Sequence, residues 1–287
     1  MAMRTKLAPL FWGSLILVAS QAFTLYVAFR EKIFVEANQI TSPQISLELP
    51  IVYFFGAVVV LGIILFLVPI SKLRIAFKIM FTFLFSWGMF ICLGLSLPIF
   101  VASPISIAGG LMWLFRPLVW LHNLLMIFAL VSVGSVFGFI LSPWAAISFM
   151  LAISIYDFLS VRFGYMLWLA KKLSESDTLP AFIIPRRIST WNLDLKEGGL
   201  KKLFEDESAE REFSILGGGD IGFPLLLIVS VFFAYGFTSS LVVAAFSLIG
   251  LISAYCIQLF FLKGKPVPAL PPISFASLIG FLIVYLP

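Results

Sequence analysis

The chain has 287 residues, of which 61% are hydrophobic and only 11% charged, and its mean hydropathy is +1.11. This composition excludes a soluble globular protein and indicates a chain that crosses a membrane several times. The formal net charge of +5 comes mostly from lysines and arginines in loops. It therefore marks membrane topology and gives no indication of a nucleic-acid-binding surface.

Nine apolar runs predict nine transmembrane helices, because one span needs about 20 apolar residues. In chain order, the runs are Leu7 to Phe29, Pro50 to Ile70, Ile75 to Ser96, Leu97 to Phe115, Leu118 to Leu141, Pro143 to Val161, Leu216 to Tyr235, Ser239 to Leu262 and Pro268 to Leu286. The first run is too long for the apolar region of a signal peptide, so we interpret it as a retained span. The sequence therefore predicts an all-α, multi-pass membrane protein.

The boundary between the third and fourth runs is the least marked, and the basic residues provide a test of it. With nine spans and a cytoplasmic N-terminus, 16 of the 19 lysines and arginines fall inside, Arg30 and Lys32 fall outside, and Arg162 lies at a membrane edge. Merging the two runs would reverse every later loop and remove this bias. We therefore expect nine spans, a C-terminus outside, and the plasma membrane as location if the source is prokaryotic.

The spans divide the sequence into three regions. Residues 1–162 contain six spans, residues 163–215 a cytoplasmic segment, and residues 216–287 the last three spans. Within the middle region, residues 163–173 predict an amphipathic helix at the membrane surface. The rest, up to Ser214, is rich in both acidic and basic side chains and predicts a solvated, partly flexible loop.

Cysteine and histidine give no indication of a metal site. Cys92 and Cys256 both lie in apolar runs and predict buried small side chains. His122, the only histidine, lies beside Asn123 in a predicted span without the companions that a zinc site requires. We interpret it as a packed polar side chain, and we expect neither a metal nor an organic cofactor.

Two aspartates lie inside apolar sequence, whereas the other twelve acidic residues fall in the first external loop or the polar loop. Asp157 lies in the sixth run and Asp220 opens the seventh. A charged group within a membrane costs about 2.5–3.5 kcal/mol and marks a functional site by default. Both aspartates are expected near the cytoplasmic ends of consecutive spans, which suggests a pair.

Each aspartate also has a simpler structural explanation. Asp157 could pair with Arg162, but a separation of five residues places two side chains on different helix faces. Asp220 could cap the start of its helix. Capping explains one aspartate but not both, nor the three glycines that precede Asp220, which let another backbone approach.

Two carboxylates held close together share one proton and titrate as a unit. The ionised member can take a proton from water while the protonated member donates to a substrate carbonyl. Peptide-bond hydrolysis is therefore the chemistry that the predicted pair supports.

Three short motifs resemble those of the presenilin and signal peptide peptidase family of intramembrane aspartyl proteases. They are "YD" at Tyr156 and Asp157, "GGGD" at residues 217–220, and "PAL" at residues 268–270. Their order and spacing match the family within a nine-span frame, and the short polar loop is more similar to archaeal homologues. The resemblance covers nearly the whole chain.

The resemblance implies a nine-helix presenilin-like fold and cleavage of transmembrane helices inside the bilayer. Asp157 and Asp220 would be the catalytic pair. The residues that it assigns to substrate binding are Tyr156, Gly217, Gly219, Pro268, Ala269 and Leu270. With the cytoplasmic loop that the charge bias gives, the substrates would be single spans with their N-terminus outside. A dependence on partner subunits is not carried over from the family, no cofactor is implied, and a homo-oligomer stays open.

Other functions remain open on the residues alone. A prepilin-type peptidase also uses a GxGD aspartate, although the "PAL" segment would then have no role. An ion channel or transporter could use the two aspartates as a relay. A non-catalytic membrane chaperone could use them to hold helices together. Cleavage of a single-span substrate that depends on both aspartates distinguishes the protease from these alternatives.

Overall fold

The computed structural model describes residues 2–41, 48–186, 188–196, 213–261 and 267–286, and within them the chain is mainly helical. The helices are α1 (Ala2–Ala37), α2 (Glu48–Leu67), α3 (Ile70–Gly94), α4 (Ile99–Phe115), α5 (Val119–Ile140), α6 (Pro143–Arg162), α7 (Tyr165–Ser174), α8 (Gly218–Tyr235), α9 (Phe237–Cys256) and α10 (Leu270–Tyr285). A 3₁₀-helix (Ile188–Asn192), a π-helix (Ile257–Phe261) and the strands β1 (Ala181–Pro185) and β2 (Phe213–Gly217) complete the list. The acidic run at residues 205–212 and the basic residues Arg187, Lys201, Lys202, Arg211, Lys263 and Lys265 lie outside the described residues.

Among the described residues, seven helices are long and apolar enough to cross a membrane, namely α1, α2, α3, α5, α6, α8, and α9 together with the π-helix. The apolar helices α4 and α10 coincide with the fourth and ninth predicted spans but have only 17 and 16 residues. The mainly helical membrane architecture is thus confirmed, and nine spans remain a prediction. The break between the third and fourth runs is real, because α3 ends at Gly94 and α4 begins after Pro98.

Helix α1 extends further than its apolar run indicates. It continues to Ala37, so Arg30, Glu31 and Lys32 lie in the helix rather than in the predicted external loop. Glu31 accepts a hydrogen bond from the Ser135 hydroxyl of α5. The polar residues after Phe29 are mostly good helix formers and do not end the helix. Two further acidic residues, Glu31 and Glu36, therefore lie inside a candidate span, and the count of two intramembrane acids missed both.

The polar loop is not solvated throughout. All five residues of β1 are buried, although the sequence analysis expected a solvated segment there. The strand pairs antiparallel with β2, and the paired residues run from Ala181 with Gly217 to Pro185 with Phe213. The apolar stretch of β1 is short, and its burial depends on the partner strand and on α5 rather than on its own periodicity.

The chain divides into two compact units, each built from three segments. The first unit comprises residues 1–13, 56–129 and 167–218, and the second comprises 14–55, 130–166 and 219–287. In the first unit, β1 packs in a core cluster whose buried members are Val119, Leu179, Ala181, Ile183 and Leu195. Helix α7 forms where the amphipathic helix was predicted, and its Leu173 packs against Leu65 and Phe77.

An ion pair fixes the turn after α7 to α3 in the first unit. Asp177, whose side chain is 12% exposed, accepts hydrogen bonds from Arg74 and from Lys78, the latter at 2.9 Å. Burial acts to raise the pKa of the Asp177 carboxyl. The hydrogen bonds and positive charges of Lys78 and Arg74 outweigh burial and hold the pKa below its ordinary value of 3.8.

The substitution Asp177→Asn is expected to destabilise the folded protein at neutral pH by about 2 kcal/mol, since Lys78 loses a buried anionic partner. A carboxyl whose pKa is depressed on folding stabilises the native state above its unfolded pKa. That contribution disappears as the pH falls through the folded pKa. Thermal unfolding in detergent between pH 7 and pH 3 should show the gap between wild type and variant closing below about pH 4. A gap that is constant with pH would contradict this assignment.

In the second unit, α10 packs closely against α9 and also contacts α6. The α9 contact needs glycine, because a Cβ at Gly250 would lie 2.5 Å from the Ile273 Cα atom, and one at Gly280 would lie 2.8 Å from the Phe246 Cβ atom. Such small residues let membrane helices approach closely. The start of α10, which carries part of the PAL motif, is thereby held against its neighbours.

Candidate active site

Asp157 lies in the last two turns of α6, half-buried, and contacts the start of α10. Its Oδ2 atom accepts a hydrogen bond from the backbone N–H of Leu270 at 3.3 Å. Both residues belong to the second unit. The structure therefore brings together the aspartate of the YD motif and the last residue of the PAL motif, which the sequence separates by 113 positions.

The bond from Leu270 has a local cause in the prolines of α10. The first N–H groups of a helix have no partner inside that helix. Pro271 and Pro272 have no N–H at all, and the Ile273 N–H donates to the Ala269 carbonyl at 3.4 Å. Among the first three residues of α10, only Leu270 therefore has an N–H group, and Asp157 accepts it. The PAL segment consequently presents a main-chain donor to Asp157, and Pro268 and Ala269 precede it, both half-buried.

Asp220 lies in the first turn of α8 and is half-buried. The N-terminus of a helix stabilises a carboxylate there through its unpaired N–H groups and its dipole. Asp220 also interacts electrostatically with Tyr255 of α9, which is 9% exposed. Helices α6, α8 and α9 thus contribute acidic or phenolic side chains within the second unit.

An aromatic cluster joins the two helices that carry the aspartates. Phe149 of α6 and Phe223 of α8 have ring centroids 5.8 Å apart, and Phe54 of α2 contacts both rings. Tyr156, which immediately precedes Asp157, contacts Phe54 at 6.2 Å and Phe55 at 5.8 Å. Edge-to-face contacts of this kind are favourable beyond the area that they bury. The cluster therefore joins α6 to α8 close to both aspartates, since Tyr156 adjoins Asp157 and Phe223 lies three residues after Asp220.

The glycines before Asp220 differ in their surroundings. Gly217 ends β2 opposite Ala181, and Gly219 is exposed, with a Cβ there 3.0 Å from the Phe223 ring. Gly218 is buried, and a Cβ on it would lie 2.9 Å from the backbone oxygen of Pro180. Its own N–H donates to that oxygen at 3.0 Å. Gly218, to which the sequence analysis gave no separate role, is thus more tightly enclosed than Gly219.

One edge of β2 faces away from β1. In an antiparallel pair, consecutive residues point their main-chain groups alternately toward and away from the partner strand. The bond from Gly218 to Pro180 and the register of the strands place Ser214 and Leu216 toward β1. Ile215 therefore directs its N–H and C=O outward, and its side chain is 37% exposed. We call the outward main-chain groups of Phe213, Ile215 and Gly217 the open edge.

Sequence reasoning singled out both aspartates and the PAL segment as candidates, and their roles stay predictions, but it missed three features of their surroundings. These are the enclosure of Gly218, the aromatic cluster and the pairing of β2 with β1. The cluster combines residues from α2, α6 and α8, so no local pattern could reveal it. A signal for Gly218 was present in the run of three glycines, although the sequence cannot say which of them has no space for a side chain.

The whole-chain comparisons agree on one family. A family model described as signal-peptide peptidase, presenilin aspartyl protease matches residues 13–287. Two solved structures, described as a presenilin family intramembrane aspartate protease in two space groups, share the fold, with TM-scores of 0.58 and 0.55. They are 20% and 18% identical to this chain, cover 96% of it in both cases, and are themselves covered to 98% and 97%. The search of curated proteins found no match.

Proposed function

Because the chain belongs to the signal-peptide peptidase and presenilin aspartyl protease family, we propose that it hydrolyses peptide bonds within transmembrane helices of single-span substrates. Asp157 and Asp220 are the proposed catalytic pair. The observation that carries the proposal is the bond from Leu270 to Asp157, since it joins two of the three motifs at one carboxylate. Asp220 of the third motif lies in the first turn of α8 and belongs to the same unit as Asp157 and Leu270.

In the proposed reaction, the ionised aspartate takes a proton from water as the water oxygen attacks the carbonyl carbon of the substrate. The protonated aspartate donates its proton to the carbonyl oxygen, which gives a tetrahedral diol. Collapse of the diol breaks the carbon–nitrogen bond. The protonated aspartate gives its proton to the leaving nitrogen, and the ionised aspartate takes one from a diol hydroxyl as the new carboxyl group forms. The products are a new carboxyl end and a new amino end, and the pair again holds one proton.

A membrane helix satisfies all its backbone groups internally, so the substrate must unwind before it can react. An unwound peptide can pair with an exposed strand edge. The open edge of β2 supports such a role, because it lies directly before Gly218 and α8 in the chain. Tyr156, Gly217, Gly219, Pro268, Ala269 and Leu270 are the proposed substrate-binding residues.

The proposed setting is a lipid bilayer, with the N-terminus and the 163–215 segment on the cytoplasmic side. The charge bias supports this orientation. Nucleic acid, a cofactor and obligatory subunits have no part in the proposal. The proposed subtype is a GxGD protease of presenilin-like topology with nine spans, and its short polar loop is similar to that of archaeal homologues.

The test uses purified full-length protein in detergent with a single-span substrate, followed by mass spectrometry of the products. Cleavage inside the span is expected. If the wild type cleaves nothing, and instead conducts ions in liposomes in a way that depends on Asp157 and Asp220, the protein is a channel rather than a protease. Cleavage restricted to residues outside the apolar span would favour a prepilin-type peptidase.

Proline substitution at Ile215 is expected to abolish strand pairing with the substrate and to lower cleavage by about 100-fold, given that misplacement by 1 Å can cost this much. Proline removes the outward N–H of Ile215, which takes no part in the β1 ladder. Ser214→Pro is the contrasting variant, because its N–H faces β1 and its loss should also destabilise the sheet. Initial rates and thermal midpoints of both variants would measure this. Wild-type cleavage by Ile215→Pro would exclude pairing at the open edge.

A further inference from the structure

Two neighbouring side chains of α5 bind the edge of β1 that faces away from β2. The amide of Asn123 donates to the Ile183 carbonyl at 2.7 Å and accepts from the Ile183 N–H at 3.0 Å. The Nε2 atom of His122 lies 3.0 Å from the Ala181 carbonyl. Both side chains are buried, at 3% and 1% exposure. The sequence analysis interpreted His122 as a packed polar residue, and the structure gives that packing a specific partner.

The protonation of His122 follows from its other neighbour. The indole N–H of Trp113 can only donate, and it points to His122 Nδ1 at 3.2 Å. Nδ1 therefore accepts, and the proton lies on Nε2, which donates to Ala181. Together with the two bonds of Asn123, the side chains of α5 supply β1 with the hydrogen bonds that a third strand would provide.

These bonds continue a ladder that ends beside Asp220. Asn123 binds the outward groups of Ile183, so the alternate residues of β1 bind β2. The ladder extends past the strands, because the Gly218 N–H donates to Pro180. Gly218 is the first residue of α8, and Asp220 follows it by two positions. One series of hydrogen bonds thus runs from a predicted span, α5, to the start of the helix that carries a proposed catalytic aspartate.

We propose that His122 and Asn123 are positioning residues that fix the register of the sheet, and with it the peptide bond of the substrate that is cleaved. This inference rests on the proposed proteolytic function and on substrate pairing at the open edge. The position of α5 in the membrane determines how deep His122 and Asn123 lie. Their hydrogen bonds to Ala181 and Ile183 hold β1, and through it β2, at the same depth. A strand that pairs with β2 is then held in one alignment relative to Asp220, which follows β2 by three residues in the chain.

The alternation of strand side chains explains why the register is sharply defined. A slip of one residue would move every side chain of β1 to the opposite face of the sheet, and because both faces are buried and closely packed, side chains of different shape would no longer fit. A slip of two residues moves a strand by about 7 Å and restores the faces. In the native chain, this slip would break the bonds to Asn123 and leave buried amide groups unpaired, which is unfavourable.

The substitution Asn123→Leu keeps the size of the side chain but removes all its bonds to Ile183. The expected result is a mixture of products, with new cleavage sites displaced by about two residues along the substrate. The matched control is Leu125→Ala, because Leu125 is a buried residue of the same helix that contacts Gly109 of α4. The control should lose stability and keep the wild-type product pattern.

Product termini are measured by mass spectrometry, which reports where cleavage occurs however little enzyme is folded. His122→Gln, which retains a donor for Ala181, should stay closer to the wild-type pattern than His122→Phe, so the inference remains testable if Asn123→Leu does not fold. An unchanged pattern in Asn123→Leu, or an equal change in Leu125→Ala, would overturn the inference.

Hydrogen–deuterium exchange distinguishes failure of this inference from failure of the proposed function. Exchange in β1 and β2 should rise in Asn123→Leu and stay near wild type in Leu125→Ala, whether or not the protein is a protease. Raised exchange with no wild-type cleavage would refute the proteolytic function, and the assigned role in cleavage would fall with it. Exchange that does not rise would refute the positioning role itself.

Discussion

Replacement of either Asp157 or Asp220 by asparagine is expected to abolish proteolysis, with a loss of at least about 1,000-fold in cleavage rate. An amide can neither take a proton from water nor carry one to a carbonyl oxygen at neutral pH. Folding should survive both changes. The asparagine oxygen at position 157 can still accept the Leu270 N–H, which the carboxylate binds at 3.3 Å, and asparagine is well suited to the start of a helix.

The rate is measured as the initial formation of product, normalised to the folded fraction from size-exclusion chromatography and thermal unfolding. Asp177→Asn is the chemically matched control, since it makes the same substitution at an ion pair of the first unit. It should lower stability and retain the rate per folded molecule. Equal losses in all three variants would mean that the activity depends only on global stability.

The double variant Asp157→Asn/Asp220→Asn adds a test of the pairing itself. Residues that act as one unit show strongly non-additive losses, because removing either member already disables the reaction. The double variant is therefore expected to be no slower than the single variants. Losses that multiply would indicate two independent carboxylates instead of a pair that shares one proton.

The residues that could be predicted from the sequence are those whose chemistry is unusual in their surroundings. A carboxylate in an apolar run is conspicuous wherever it folds, so the sequence alone singles out Asp157 and Asp220 as candidates. The PAL motif was equally visible from its prolines. Its bond to Asp157 was not, because it joins α6 to α10 across 113 positions.

The burial of β1 could not be predicted for a related reason. Its apolar stretch is only five residues long and lies between charged segments, which is too short for a periodic pattern. The hydrogen bonds that hold β1 as a strand come from Asn123, 60 positions earlier in the chain, and from β2. Glu31 was misplaced for the opposite reason, since hydropathy locates the apolar part of α1 and does not report where the helix ends.

The second large effect is expected at Gly218, where Gly218→Ala should destabilise the protein by about 1–3 kcal/mol, as overpacking does. The new Cβ atom would lie 2.9 Å from the Pro180 backbone oxygen. That oxygen already accepts the Gly218 N–H, so the segments around Pro180 and Gly218 cannot move apart without breaking this hydrogen bond. The first turn of α8 must shift instead, and a shift of 1 Å at Asp220 would lower cleavage by about 100-fold.

Two other glycines show whether the effect is steric. A Cβ at Gly94 of α3 meets nothing within 4 Å, so Gly94→Ala should leave the thermal midpoint unchanged or raise it slightly. A Cβ at Gly219 meets only the ring of Phe223, 3.0 Å away, and that ring can rotate. The expected order of destabilisation, Gly218→Ala first, Gly219→Ala second and Gly94→Ala last, follows from which neighbouring atoms can move. If Gly219→Ala were the most destabilising, the close approach of Gly218 to Pro180 would not be what fixes the start of α8. The placement of Asp220 would then depend on the Phe223 side of the aromatic cluster.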